Sequence, residues 1–192
     1  MRRALLILTA VVSLGSCAKN PFNSRESEAP TSEGGTFIPP TSPQIVLENL
    51  RLSYTQLVIS NFIQSLDSQF VFRFDVVEGI ATDTSWGFQA EISLTEKLFN
   101  DFTATKNARG IRIVLSPQAG QSDQILDSTA TLVRKYRLME VDSLSREQAS
   151  YEGVSRFELV ESAFNYWSLR LWEDIHLSFE TKSWAELKYA YR

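Results

Sequence analysis

The stretch "RFELVESAFNYWSLRLWEDI", residues 156–175, decides the fold. Two alternating apolar runs flank a short turn, the pattern of an antiparallel strand pair with one buried face. Setting Leu159 opposite Leu169 places Phe157 opposite Leu171 on that face. The other face then brings Glu158 to Arg170 and Arg156 to Trp172. Opposite charges, and a cation over an aromatic ring, are favourable cross-strand partners. A slip of one residue would set Glu158 against Leu169 instead, so the first register is preferred.

Further strands lie upstream. "GIRIVLS" (110–116), "TATLVRKYRLMEV" (129–141) and "YEGVSRFELVE" (151–161) all read as β. "QFVFRFD" (69–75) alternates Phe70, Phe72 and Phe74 with Val71, Arg73 and Asp75. Between and before these strands the period becomes helical. Ser42-Pro43 opens a first helix, with Val46, Leu50 and Leu57 along one stripe and Leu47 and Tyr54 beside it. A short second helix carries Ile59, Phe62 and Leu66, and a third spans 86–102, where Ile92, Thr95, Phe99 and Phe102 share a face. Ser183 and Glu186 have capping-box spacing for a last short helix. Trp86 and Trp184, each at a helix start, are expected to staple that end to the core.

Helices followed by a curved, mostly antiparallel sheet resemble the nuclear-transport-factor-2-like superfamily. "VLENLRLSY", "FVFRFD", "WGFQAEISLTEKLF" and the 156–175 hairpin carry the likeness, which covers residues 43–192. The resemblance implies an α+β cone, with helices packed across the concave sheet face and often a pocket between them. It is similar to secreted bacterial lipoproteins that carry this domain after a Pro-rich stalk. The superfamily also includes isomerases, dehydratases, epoxide hydrolases and polyketide cyclases that work by acid–base chemistry inside the cone.

Strand parity nominates the polar groups of such a cone. Leu132, Arg134, Tyr136 and Leu138 share one face; Trp167, Leu169, Leu171, Glu173 and Ile175 share another. If both faces point inward, Arg134 and Glu173 are charges among apolar neighbours and must pair or meet water. Two readings stand: a buried ion pair that fixes the sheet, or a small-molecule pocket floored by Tyr136 and Trp167 with Arg134 and Glu173 as its polar groups. The opposite face, with Arg156, Glu158, Arg170, Trp172 and Asp174, is either a homodimer interface or a solvated lattice of ion pairs. His176, the single histidine, falls on that face and is expected at the surface or rim. "VDSLSRE" lacks the glycine and alternating acids of a calcium loop, and no phosphate loop or nucleophile elbow is present. Neither metal nor cofactor is expected.

The N-terminus speaks to location. Met1-Arg2-Arg3, an apolar run from Ala4 to Leu14 and small residues after it form a signal-peptide layout too short to remain as a spanning helix. Leu14-Gly15-Ser16-Cys17 resembles the bacterial lipobox, which implies cleavage after Ser16 and acylation of Cys17, the chain's one cysteine. Acyl chains on one residue suffice for stable anchoring when more than one is attached. Ala18, where an aspartate would resemble an inner-membrane retention signal, favours an outer-membrane location facing the periplasm or the cell surface. Residues 17–42, rich in Pro, Gly, Ser, Thr and Glu, read as a disordered stalk ahead of one domain at 43–192. With Arg2 and Arg3 removed, the 19 basic residues become 17 against 23 acidic ones, a charge of −6 that offers no broad field for nucleic acid. The expectation is a lipid-anchored envelope protein with a binding or assembly domain that does not catalyse; the alternative is an acid–base enzyme on a small hydrophobic molecule.

Overall fold

The computed structural model describes residues 34–75, 84–104, 109–178 and 180–192. The expected signal peptide, Cys17 and the expected stalk up to residue 33 lie outside the described residues. Helices α1 (Pro43–Gln56) and α2 (Ile59–Ser65) meet at Leu57, which takes a left-handed φ of 56° and caps α1. Strand β1 (Leu66–Phe74) follows at once, then the short β2 (Ser85–Gly87) and helix α3 (Phe88–Ala104). The rest is β3 (Gly110–Pro117), β4 (Gln124–Ile125), β5 (Thr129–Val141), β6 (Glu147–Glu161), β7 (Trp167–His176) and helix α4 (Trp184–Tyr189).

The main sheet runs in the order β2-β1-β7-β6-β5-β3, with β4 paired to β5. Among the described residues only the β1–β7 pairing is parallel; the others are antiparallel. This is the expected α+β arrangement, and its core is aromatic. Phe70, Phe72 and Phe74 of β1 face inward as their alternation predicts, and Val46, Leu47, Leu50 and Tyr54 line the buried side of α1.

Three expectations are corrected. Trp86 does not begin α3 but sits in β2, opposite Phe72, with the two rings stacked at 4.7 Å. Residues 34–42, assigned to the stalk, dock on the domain instead. Asn49 accepts from the Ile38 N–H (2.9 Å) and donates to its carbonyl (2.7 Å), while Asn61 donates to the Gly34 and Thr36 carbonyls. The Trp167 N–H completes the clasp by donating to the Pro40 carbonyl at 2.8 Å. Composition suggested a chain with nothing to bury, but two asparagines on the neighbouring helices satisfy its backbone.

The third correction decides the site. Leu159 does lie opposite Leu169, but the next pair is Glu158 with Leu171, so Arg170 is an extra residue in β7. A bulge of one residue exchanges the two faces beyond it. Phe157 therefore pairs with Trp172 and Arg156 with Glu173, in place of the expected Phe157–Leu171, Glu158–Arg170 and Arg156–Trp172 pairs.

Candidate functional site

The bulge at Arg170 turns Trp172, Asp174 and His176 toward the concave face, and turns Glu173 away from it. Trp172 is fully buried, its ring 5.2 Å from Phe72 and 5.4 Å from Phe157, and its indole N–H donates to Ser155 Oγ at 2.9 Å. It is not an interface residue. Glu173 lies on the outer face between Arg156 (3.0 Å) and Arg73 (3.8 Å), and Arg156 also meets Glu158 at 2.6 Å. Together with Arg137, bonded to Glu147 and Glu152 on the neighbouring strand, these residues form a ladder of ion pairs across the outer face. Arg170 pairs with Asp67 at 3.2 Å.

Arg134 does face inward on β5 with Leu132, Tyr136 and Leu138. Its partner, however, is Asp123, not Glu173. The guanidinium makes a two-pronged contact at 2.6 and 2.7 Å and holds the Asp123 carboxyl below the usual carboxylate range. Sequence spacing gave no sign of this pair, because Asp123 sits in an irregular segment before β4.

The last helix, α4, shares the covered face of the sheet with α1, α2 and α3. Ser183 and Glu186 form the anticipated capping box, which sets the helix at an angle that drives its first turn into the cone. Trp184 is fully buried, its ring 5.1 Å from Tyr54 of α1, 5.2 Å from Tyr136 of β5 and 4.5 Å from Trp172 of β7. One indole thus touches the helical layer and two strands of the sheet. Its backbone N–H donates to Tyr136 Oη at 2.8 Å, and the next N–H, of Ala185, donates to Asp174 Oδ2 at 2.7 Å. The sheet therefore supplies acceptors for two donors that a helix start leaves unpaired. Tyr136 also requires Gly153 on the adjacent strand, where a Cβ would come within 2.6 Å of the ring carbon Cζ.

One turn on, Lys188 enters the same interior. Its Nζ lies 2.6 Å from Glu91 Oε1 of α3, 3.7 Å from the Trp172 ring centroid and 3.9 Å from that of Phe72. Glu91 also accepts the Trp86 indole N–H at 2.6 Å. Burial lowers the Lys188 pKa, opposed by the charge of Glu91. Burial likewise raises the Asp174 carboxyl to about 6, against the hydrogen bond from Ala185 and the charge of Lys188. The Tyr54 and Tyr136 phenols are raised by burial and by the neighbouring carboxylates. Neither Glu91 nor Lys188 is nominated from sequence, because a charged side chain on an amphipathic helix ordinarily reads as part of its wet face. The clue was that Glu91 falls one turn before Thr95, on the stripe that also holds Leu98 and Phe102.

At the mouth, His176 Nε2 lies 2.5 Å from the Thr181 carbonyl and 3.7 Å from Glu186, a rim position with 12% of the side chain exposed. A cleft of about 400 Å³ opens beside it between β1 and β7, lined by Arg73, Asp75, Ser85, Glu173 and Asp174 among others. A second, more apolar cleft of about 430 Å³ lies at the opposite end of β7. Phe37, Pro39, Pro40, Tyr166 and Trp167 line it, so Trp167 floors this cleft and does not share one with Tyr136. Among the described residues no group of three or more His, Cys, Asp or Glu side chains is placed to hold a metal ion. Nor is any described helix long and apolar enough to cross a membrane.

With this geometry the domain has an α+β fold of helices packed on a mostly antiparallel sheet. No family model matches the chain, and no curated protein does. Solved structures are similar in fold. The β subunit of a benzoate 1,2-dioxygenase from Burkholderia mallei matches with TM-score 0.55 at 12% identity, over 69% of this chain and 86% of that one. A protein from Kribbella flavida matches with TM-score 0.53 at 11% identity, over 74% and 91%. A Salmonella enterica protein named for the superfamily matches with TM-score 0.47 at 9% identity, over 67% and 84%. At such identities the likeness concerns the fold alone.

Proposed function

We propose that this is a lipid-anchored protein of the bacterial cell envelope, held in the outer membrane through Cys17, whose cone domain binds or assembles through its outer surfaces and does not catalyse. The observation that carries the non-catalytic part is the α4 helix inside the cone. Acid–base chemistry needs a titrating side chain within reach of a substrate atom. Here Glu91 is held by Lys188, Tyr136 and Asp174 accept the first N–H groups of α4, and Trp184 occupies the space between them. The anchoring part rests on the residues around Cys17. Metabolic labelling with a radioactive fatty acid tests it: the wild-type chain should incorporate label and fractionate with membranes, and Cys17→Ser should do neither. Continued membrane fractionation of the unlabelled variant would sink the claim.

One observation favours the alternative, an acid–base enzyme on a small hydrophobic molecule. Asp174, its carboxyl raised to about 6, also lines the mouth cleft. In that reading the cleft is the active site and Asp174→Asn abolishes turnover. In the preferred reading the same change leaves every interaction of the envelope protein intact and alters only its stability.

A further inference from the structure

The β6–β7 turn presents Phe164 with 83% of its surface exposed and Tyr166 with 49%. The turn is tied down: the Ser162 N–H donates to the Tyr166 carbonyl at 2.8 Å, and the Asn165 N–H to the Ser162 carbonyl at 3.0 Å. The Phe164 and Tyr166 N–H groups both reach Ser162 Oγ at 3.3 Å, and Asn165 takes a left-handed φ of 60°. A fixed turn that aims a phenylalanine at solvent differs from scattered exposed apolar residues, because it adjoins the apolar cleft of Phe37, Pro39, Pro40 and Trp167. The two segments that build this edge, residues 34–47 and 162–169, contain no charged residue, in a chain that is 22% charged.

We propose that this edge, the Phe164–Tyr166 turn with the Phe37–Pro40 segment clasped beside it, rests on the surface of a lipid bilayer. The inference rests on the anchoring through Cys17 proposed above. Aromatic rings interleaved with uncharged polar groups are the composition of the membrane–water interface, where tyrosine and tryptophan concentrate. The path of the chain selects a bilayer as the occupant. The clasped segment leads back to Cys17, and the 16 residues between Cys17 and Gly34 can span at most about 60 Å, while a flexible chain of that length has a root-mean-square reach of about 20–25 Å. An acyl anchor therefore favours this edge, where the chain enters the domain, over the far end as the side nearer the membrane. The far end of β6, on the order of 45 Å away along a strand of 15 residues, carries the charged turn at Asp142 and Arg146. The mouth cleft beside His176, at the end of β7 remote from the turn, is held away from the bilayer.

The test places a tryptophan at Phe164, and as control at Leu144, which is 70% exposed in the β5–β6 turn. Each full-length acylated variant is reconstituted in phosphatidylethanolamine–phosphatidylglycerol vesicles with brominated acyl chains, and its fluorescence is corrected for the four native tryptophans. Quenching at position 164 should exceed that at 144 by about two-fold or more. Equal quenching overturns the edge proposal while the fatty-acid label, measured separately, leaves the anchor standing. A concentration-dependent blue shift at 164 without vesicles would make the occupant a second copy, and also overturns it. If the wild-type chain carries no label, the anchor reading fails, and the same comparison in Cys17→Ser protein bound to the vesicles decides the edge alone.

Discussion

Lys188 and Glu91 form a salt bridge of 2.6 Å in which neither side chain reaches solvent. It joins the last helix to α3 across the inside of the cone, with the ammonium group set against the Trp172 and Phe72 rings. A desolvated cation over aromatic faces gains about 2 kcal/mol or more. That attraction helps to offset the cost of burial.

Breaking the pair from one side leaves an uncompensated charge. Glu91→Gln and Lys188→Met should each lower stability by about 3–5 kcal/mol in urea unfolding. The double variant should recover a substantial part of the loss. Additive losses would show that the two groups do not depend on each other.

Asp174 predicts a pH dependence. Its carboxyl is raised to about 6 in the folded protein, above its ordinary value of 3.8. Between those two values the folded state holds a proton that the unfolded state has released, so this group's contribution falls as pH rises through the window. Above the folded value both states are ionised and the contribution is flat. Asp174→Asn, which can still accept from the Ala185 N–H, should remove this slope. Relative to wild type, the variant should gain on the order of 2–3 kcal/mol between pH 4 and pH 7. A difference independent of pH would mean that Asp174 is ordinary in the fold.

Arg134 and Glu173 should prove independent. Arg134→Met breaks a two-pronged, largely buried contact with Asp123 and should cost about 1.5–3 kcal/mol. Glu173→Gln, on the outer face, should cost less than about 1 kcal/mol. A double-mutant cycle should find coupling between Arg134 and Asp123 and none between Arg134 and Glu173.

The segment ahead of α1 should contribute to stability. A chain beginning at Thr41 loses the bonds from Asn49 and Asn61 and the acceptor for Trp167, and should melt several degrees below one beginning at Gly34. Equal melting temperatures would show that the clasp is idle.

Much of this architecture was legible because long elements declare their period. The β1 phenylalanines, the α1 stripe, the β5 face and the Ser183–Glu186 cap all follow from spacing within one element. The site was less legible because it depends on events between elements. A single extra residue at Arg170 reverses the parity of everything after it, so Glu173 and Asp174 exchange places and Trp172 moves from surface to core. No glycine or proline marks that bulge. The choice of Asp123 as the partner of Arg134, and the descent of α4 into the cone, are likewise tertiary outcomes that pairing rules within a hairpin do not reach. The asparagines that hold residues 34–42 act across the chain, where composition alone suggested disorder.

The amides of Trp184 and Ala185 report whether α4 fills the cone, because each donates to a side chain of the sheet, Tyr136 and Asp174. Hydrogen exchange read at these two positions should show protection comparable to the central strand β6, since opening them requires the buried indole and the Glu91–Lys188 pair to leave the core together. Exchange at these two amides as fast as at the chain end, with β6 still protected, would contradict the account: α4 would then be a lid that opens on a pocket, and the acid–base reading would take precedence.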